Sequence, residues 1–197
     1  MENQVRDEIV RAAYVVLQQA GPSKLRIQDV ARQADVSPTL LYYYFEGKHD
    51  LIAAAYALDY TMLVNEDLDR VQAAFAATSS LQEFGSAVFE AFEDGVTTSQ
   101  RRGRRLDVLA AAQHDAVVAD AIREPQCRLS EGLRDIIEGC QSRGWIDMDL
   151  DIELVVLGWL ALPFGMCFLD VDPSLEVNRF KYLRMMLAPG VLTEAKR

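Results

Sequence analysis

The sequence predicts an all-α protein of about nine helices, three short ones followed by about six longer ones. Three observations lead there. Apolar residues recur with helical period in almost every segment, no segment sustains the alternation of a strand, and cap and turn residues punctuate the chain where each helical stripe stops.

In the first helix Val5, Ile9, Ala12, Val16 and Leu17 form one stripe, and "AGPS" (20–23) ends it. The second is short, with Ile27, Val30, Ala31 and Ala34 at i, i+3, i+4 and i+7. "DVS" (35–37) is a tight turn, and Ser37 followed by Pro38 is an N-cap with proline in the first helical position. The third helix ends near Phe45, and "EGK" leads into a fourth expected from Lys48 to Ala76 without a breaker. Ser80 and Glu83 have capping-box spacing for a fifth. A sixth is expected over Arg101–His114, and a seventh over 116–143, interrupted by Pro125. "RGWIDMDLD" (143–151) connects to an apolar helix over 150–169, "DVDPS" follows it, and a last helix covers 173–188.

The third helix sorts its residues onto two faces. Leu41 and Phe45 are i, i+4 neighbours with Leu40 beside them, a face expected to pack on the first two helices. Pro38, Thr39, Tyr42 and Tyr43 lie opposite, and Tyr44 sits at the border. An exposed, ring-rich face on the second of two short helices joined by a tight turn is a helix-turn-helix arrangement. Threonine and tyrosine groups there can meet thymine methyls, base edges and phosphates in a major groove. The bland alternative is a three-helix cap on a bundle, with tyrosine hydroxyls merely solvated.

Half of the 197 residues are apolar and a quarter charged, which suits a folded globular chain. The net charge of −10 speaks against nucleic acid as a partner, but it is unevenly spread. Residues 1–50 hold six Lys/Arg against seven Asp/Glu, close to neutral, while the remainder holds 14 against 23. Cys127, Cys140 and Cys167 are widely spaced with no C-x-x-C pair, as expected of reduced thiols in the cytoplasm. No signal peptide is expected, and the apolar run 154–169 is shorter than the ~20 residues a bilayer span needs, so no membrane partner is expected.

The stretch "IQDVARQADVSPTLLYYYFEGKHDL" (27–51) resembles the TetR family of one-component transcriptional regulators, closely so from Val30 to Leu51. The resemblance implies a DNA-binding domain over 1–48 and a ligand-binding and dimerisation domain over 49–197. It implies that Thr39 and Tyr43 touch bases with Pro38 close by, and that Ser37, Tyr42, Tyr44 and Lys48 hold phosphates. Arg26 and Gln28, at the start of the second helix, complete the candidate set. Three positions depart from the family pattern: Asp35 and Thr39 replace glycines, and Arg26 replaces a capping threonine. Aspartate tolerates left-handed geometry better than most residues. The arginine forfeits a cap worth ~1 kcal/mol but is able to reach a phosphate.

By the same resemblance the last two helices pair with their copies in a homodimer, through Leu154, Gly158, Ala161, Leu162 and Gly165 on one and Phe180, Leu183 and Leu187 on the other. The first of these is apolar almost all round and is expected to be buried on all sides. Between the ends, Tyr60 and Leu63, Phe89 and Phe92, and Leu109, Gln113 and His114 are candidates for binding an unknown small-molecule effector, although such stripes equally suit plain core. The run "QRRGRRLD" (100–107) reads either as a solvated, ion-paired face or as an anion site.

The expected function is therefore a homodimeric repressor bound to a palindromic double-stranded DNA operator and released by its effector. The alternative is an all-α ligand-binding or adaptor protein that has lost DNA binding. An enzyme is not expected. Only His49 and His114 offer imidazole bases, and no nucleophile elbow, phosphate loop, dinucleotide fingerprint or Cys/His metal cluster accompanies them, so neither cofactor nor metal is implied.

Overall fold

The computed structural model describes residues 2–92, 95–172 and 174, and among them the fold is all-helical. In chain order the helices are α1 (Glu2–Ala20), α2 (Ile27–Gln33), α3 (Pro38–Tyr44), α4 (Lys48–Ala77), α5 (Leu81–Ala91), α6 (Gly95–His114), α7 (Ala116–Ser142) and α8 (Ile152–Val171). The helix expected over 173–188 lies outside the described residues, apart from Ser174.

The helix ends obey local chemistry. Gly21 takes φ +75° after α1, and its N–H donates to the Leu17 carbonyl at 2.8 Å. Ser80 caps α5 by accepting the Glu83 N–H at 3.2 Å, while the Glu83 carboxylate accepts from Ser79 N–H at 2.8 Å. After α7, Gly144 at φ +68° closes a paired turn in which its N–H donates to the Gln141 carbonyl and that of Trp145 to the Cys140 carbonyl. Asp151 caps α8 through the amides of Glu153 and Leu154.

Two features differ from the sequence expectation by more than a residue or two at a helix end. Helix α6 begins at Gly95 rather than Arg101, because no breaker separates the two and helix propagates readily from an anchored segment. Pro125 does not interrupt α7. The proline removes one N–H, but Val118, Ile122, Leu129, Leu133 and Ile136 continue a buried stripe on both sides of it. Packing along that stripe outweighs a local penalty of ~3 kcal/mol.

The chain forms two compact units. The first takes residues 1–63 and 107–126, with a core that includes Ile9, Ala13, Leu25, Val30, Leu41, Phe45 and Leu51. The second takes 64–106 and 127–197, around Val71, Ala74, Phe84, Val88, Ile136 and Cys140. Burial pushes the Cys140 thiol up to about 11, so it is an inert core group. The rings of Phe75, Phe84, Trp145 and Trp159 pack on this core in a chain of edge and tilted contacts, with centroids 5.6–6.2 Å apart. The Arg143 guanidinium lies 3.8 Å above the Phe75 ring and donates to the Phe75 and Thr78 carbonyls.

The arginine run resolves in this second unit. Arg101 bridges Glu66 and Asp67 of α4, and Arg105 meets the same Asp67. Both arginine side chains are nearly buried, which excludes a merely solvated face. Burial nevertheless pushes the Asp67 carboxyl up, and Arg105 and Arg70 offset this only in part. The cluster fixes which helices pair, and its removal would strand buried charge.

Gly132 and Gly139 of α7 sit where α4 comes closest: an added Cβ would lie 2.5 Å from Leu68 Cδ2 and 2.6 Å from Phe75 Cζ respectively. Leu68 can swing a terminal methyl aside, whereas Phe75 is wedged by Phe84, Trp145 and Arg143. Gly139→Ala is therefore expected to cost ~1–2 kcal/mol, overpacking exceeding the gain in helix propensity. Thermal melting checks it, and Gly132→Ala is expected to fall less.

Candidate nucleic-acid interface

The turn between α2 and α3 is built from backbone hydrogen bonds. Asp35 adopts φ +54°, its N–H donates to the Arg32 carbonyl at 3.3 Å, and Val36 N–H donates to the Ala31 carbonyl at 3.0 Å. These two bonds close α2 in the glycine-type C-terminal turn, here carried by an aspartate. The Ser37 hydroxyl accepts the Leu40 N–H at 3.1 Å and starts α3. Because a hydroxyl also donates, Ser37 retains a proton for a phosphate oxygen.

The faces of α3 separate as the spacing predicts. Leu41 and Phe45 are 0 % and 1 % exposed, and the Arg6 guanidinium of α1 lies 5.2 Å from the Phe45 ring centre. Pro38 and Thr39 are exposed, and Tyr42 and Tyr43 are 57 % and 69 % exposed. Tyr44 is half-buried, its ring edge-on to Tyr43 at 5.0 Å. Leu40 is a correction: expected beside Leu41 in the core, it is 37 % exposed, because one residue's turn of 100° carries it out of the seam.

Beside this face runs a groove of about 870 Å³, lined by Ser23, Lys24, Arg26, Gln28, Pro38, Tyr42 and Lys48 among others. Lys48 is fixed there, its Nζ donating to the Ser23 carbonyl at 3.0 Å. Arg26 stands in extended backbone at the N-cap of α2 and makes no capping bond with its side chain, as its sequence position implied. Three cations thus share one groove wall with Asp29, whose carboxylate pairs with Arg32 at 3.3 Å. A domain that is neutral in sum is locally basic where α3 faces out. Lys24 was not among the sequence candidates; its position two residues before Arg26 was the available signal.

The effector candidates divide between the units. In the first, Tyr60 and Leu63 are core, and the Tyr60 hydroxyl donates to Gln126. Burial, then the Asp107 and Asp59 carboxylates, push the nearby Tyr56 phenol up. Leu109 is half-buried, while Gln113 and His114 are exposed at the end of α6. In the second unit Phe89 is half-buried and Phe92 packs on the core cluster.

The dimer candidates on α8 bring a second correction. The helix is not buried all round: Leu154, Leu157 and Phe168 are each more than 60 % exposed, and Ala161 is exposed with them. Positions 154, 157, 161 and 168 follow heptad spacing, so they form one apolar stripe. Gly158, Leu162 and Gly165 are half-buried beside it, and Phe180, Leu183 and Leu187 lie outside the described residues. No helix among the described residues is long and apolar enough to cross a membrane, and no cluster of potential metal ligands occurs among them.

An outward recognition face, a tight turn and a flanking basic groove define a helix-turn-helix domain of the DNA-binding class. Residues 9–55 match the model of the bacterial regulatory proteins of the tetR family. Solved structures extend the likeness of fold across the chain. GusR of Salmonella enterica is 21% identical with a TM-score of 0.63, covering 93% of each chain. A TetR transcription regulator from Haloarcula marismortui is 22% identical with a TM-score of 0.62, covering 94% of this chain and 93% of that one. FadR of Bacillus subtilis in complex with stearoyl-CoA is 18% identical with a TM-score of 0.56, covering 92% and 97%. A search of curated protein sequences finds no match.

Arg26→Thr is expected to restore the missing cap and raise stability by ~1 kcal/mol. Thermal or denaturant unfolding checks it, with Arg26→Ala, which supplies no cap, as the comparison that should show no gain.

Proposed function

We propose that this protein is a homodimeric transcriptional repressor that binds a palindromic DNA operator and leaves it when a small-molecule effector binds. The observation that carries this reading is the orientation of α3: its apolar pair is sealed inside while Thr39, Tyr42 and Tyr43 project outward, and Tyr42 lines the same groove as Lys24, Arg26 and Lys48. Thr39 and Tyr43 contact base edges in the major groove, with Pro38 alongside. Ser37, Tyr42, Tyr44, Lys48 and Arg26 hold phosphates, and Gln28 lies on the same wall.

Dimerisation is supported by the apolar stripe of α8, which leaves large side chains in water unless a second copy covers it. Two copies related by a two-fold axis read two half-sites about one helical turn, ~34–36 Å, apart or a multiple of that. The division of labour follows: residues 1–48 read DNA, and residues 49–197 carry the effector and dimer surfaces. Helix α4 is continuous from Lys48 to Ala77, so a change along it moves the lysine at its start. An effector shifts DNA affinity only by preferring one arrangement of that helix. The similar FadR structure contains stearoyl-CoA, which supports an apolar, acyl-type effector as the first class to try here.

The test is selection of DNA from a random-sequence duplex pool by the purified full-length protein. A two-fold symmetric consensus is expected, and enrichment of no sequence would overturn the reading. On the selected duplex, Thr39→Ala is expected to cost ~1–3 kcal/mol and to relax one base position. Lys48→Ala, which removes one contact from each subunit, is expected to weaken all sequences alike and flatten the salt slope by ~1.8.

A further inference from the structure

The chain has two histidines, His49 and His114, and the first compact unit holds both. His49 is the second residue of α4, and His114 ends α6 just before Asp115. The His49 Nε2 is hydrogen-bonded to Asp115 Oδ2. The other carboxylate oxygen, Oδ1, accepts the amides of Val117 at 3.0 Å and Val118 at 3.3 Å. One carboxylate therefore caps α7 and at the same time holds the first turn of α4, next to Lys48. The bond from His49, followed by those from the α7 amides, keeps the Asp115 carboxyl below its usual range.

The other charged groups at this corner are engaged with different partners. Lys48 donates to the Ser23 carbonyl, the Asp50 carboxylate accepts the Glu46 N–H, and Asp120 pairs with Arg123 on α7. His114 is exposed.

We propose that His49 is a proton-controlled clasp: as an imidazolium it grips Asp115, fixes the first turn of α4 against the α6–α7 corner, and so strengthens DNA binding at acid pH. This rests on the DNA-binding reading given above. Two effects act in the same direction. A charged imidazole makes a stronger hydrogen bond to carboxylate than a neutral one. It also places a positive charge one residue from Lys48, in a domain whose charges otherwise nearly cancel. Loss of the imidazole proton removes both contributions, and affinity falls. The side chains are 62 % and 25 % exposed, so solvent and salt screen the pair and the effect is modest. It is expected to be roughly two- to fivefold per reading head.

The experiment measures affinity of the full-length protein for its selected duplex from about pH 5.5 to about pH 8.5 at constant ionic strength. The wild type is expected to weaken with rising pH, His49→Gln to flatten the profile, Asp115→Asn to flatten it in part because the imidazole charge remains, and the neighbouring Asp120→Asn to keep it. A wild-type profile surviving in His49→Gln overturns the proposal. Flattening in His49→Gln but not in Asp115→Asn overturns the clasp and leaves only a local charge effect. A second readout needs no DNA: the NMR titration of the Asp115 carboxyl carbon should move up in His49→Gln. If it does not move, the clasp is absent. If it moves but no duplex is ever selected, the clasp stands and the DNA-binding reading fails.

Discussion

The amino-terminal domain depends on the burial of Leu41 and Phe45. Each side chain is worth ~1.5–3 kcal/mol when withdrawn from water; Leu41 lies in, and Phe45 caps the end of, a seven-residue helix too short to be stable alone. Sealing both against their neighbours fixes the rotation of α3 about its axis. Once the rotation is set, Thr39, Tyr42 and Tyr43 have no course but outward, so the packing of two apolar residues decides which residues are offered to a partner. A rotation by one residue would bury the tyrosines and expose the leucine.

The turn before α3 makes that orientation possible at a local cost. Asp35 accepts a left-handed backbone that a glycine would take without strain, and Arg26 stands at a cap position without capping. Both departures weaken the local structure. Only the second has a visible return, since Arg26 joins Lys24 and Lys48 on the wall of the groove. This convergence makes an acidic protein locally basic beside α3: the sum over 197 residues is −10, but three cations line one groove there.

The second unit is held by closer contacts. Glycines at 132 and 139 let α7 approach Leu68 and Phe75, and Asp67 is shared by two arginines from α6. Both devices tie neighbouring segments to α4, the helix that begins at the reading head. By contrast α8 presents an apolar stripe to water.

The sequence by itself determined the helices and their punctuation. Periodic stripes, the Ser37–Pro38 cap, the Ser80–Glu83 pair and the glycines after helices act within one or two turns, and the two faces of α3 follow from its spacing alone. Tertiary structure decided the rest. Pro125 reads as a break until buried residues on both sides carry the helix through it, and α8 reads as fully buried because composition does not reveal which side is covered. Leu40 misled for a similar reason, as adjacency in sequence does not place a side chain in a seam. The arginine partners and the bond between His49 and Asp115 were invisible because each joins groups brought together only when the chain folds. Local chemistry is written in short windows of sequence, whereas the identity of a partner tens of residues away depends on how whole helices pack.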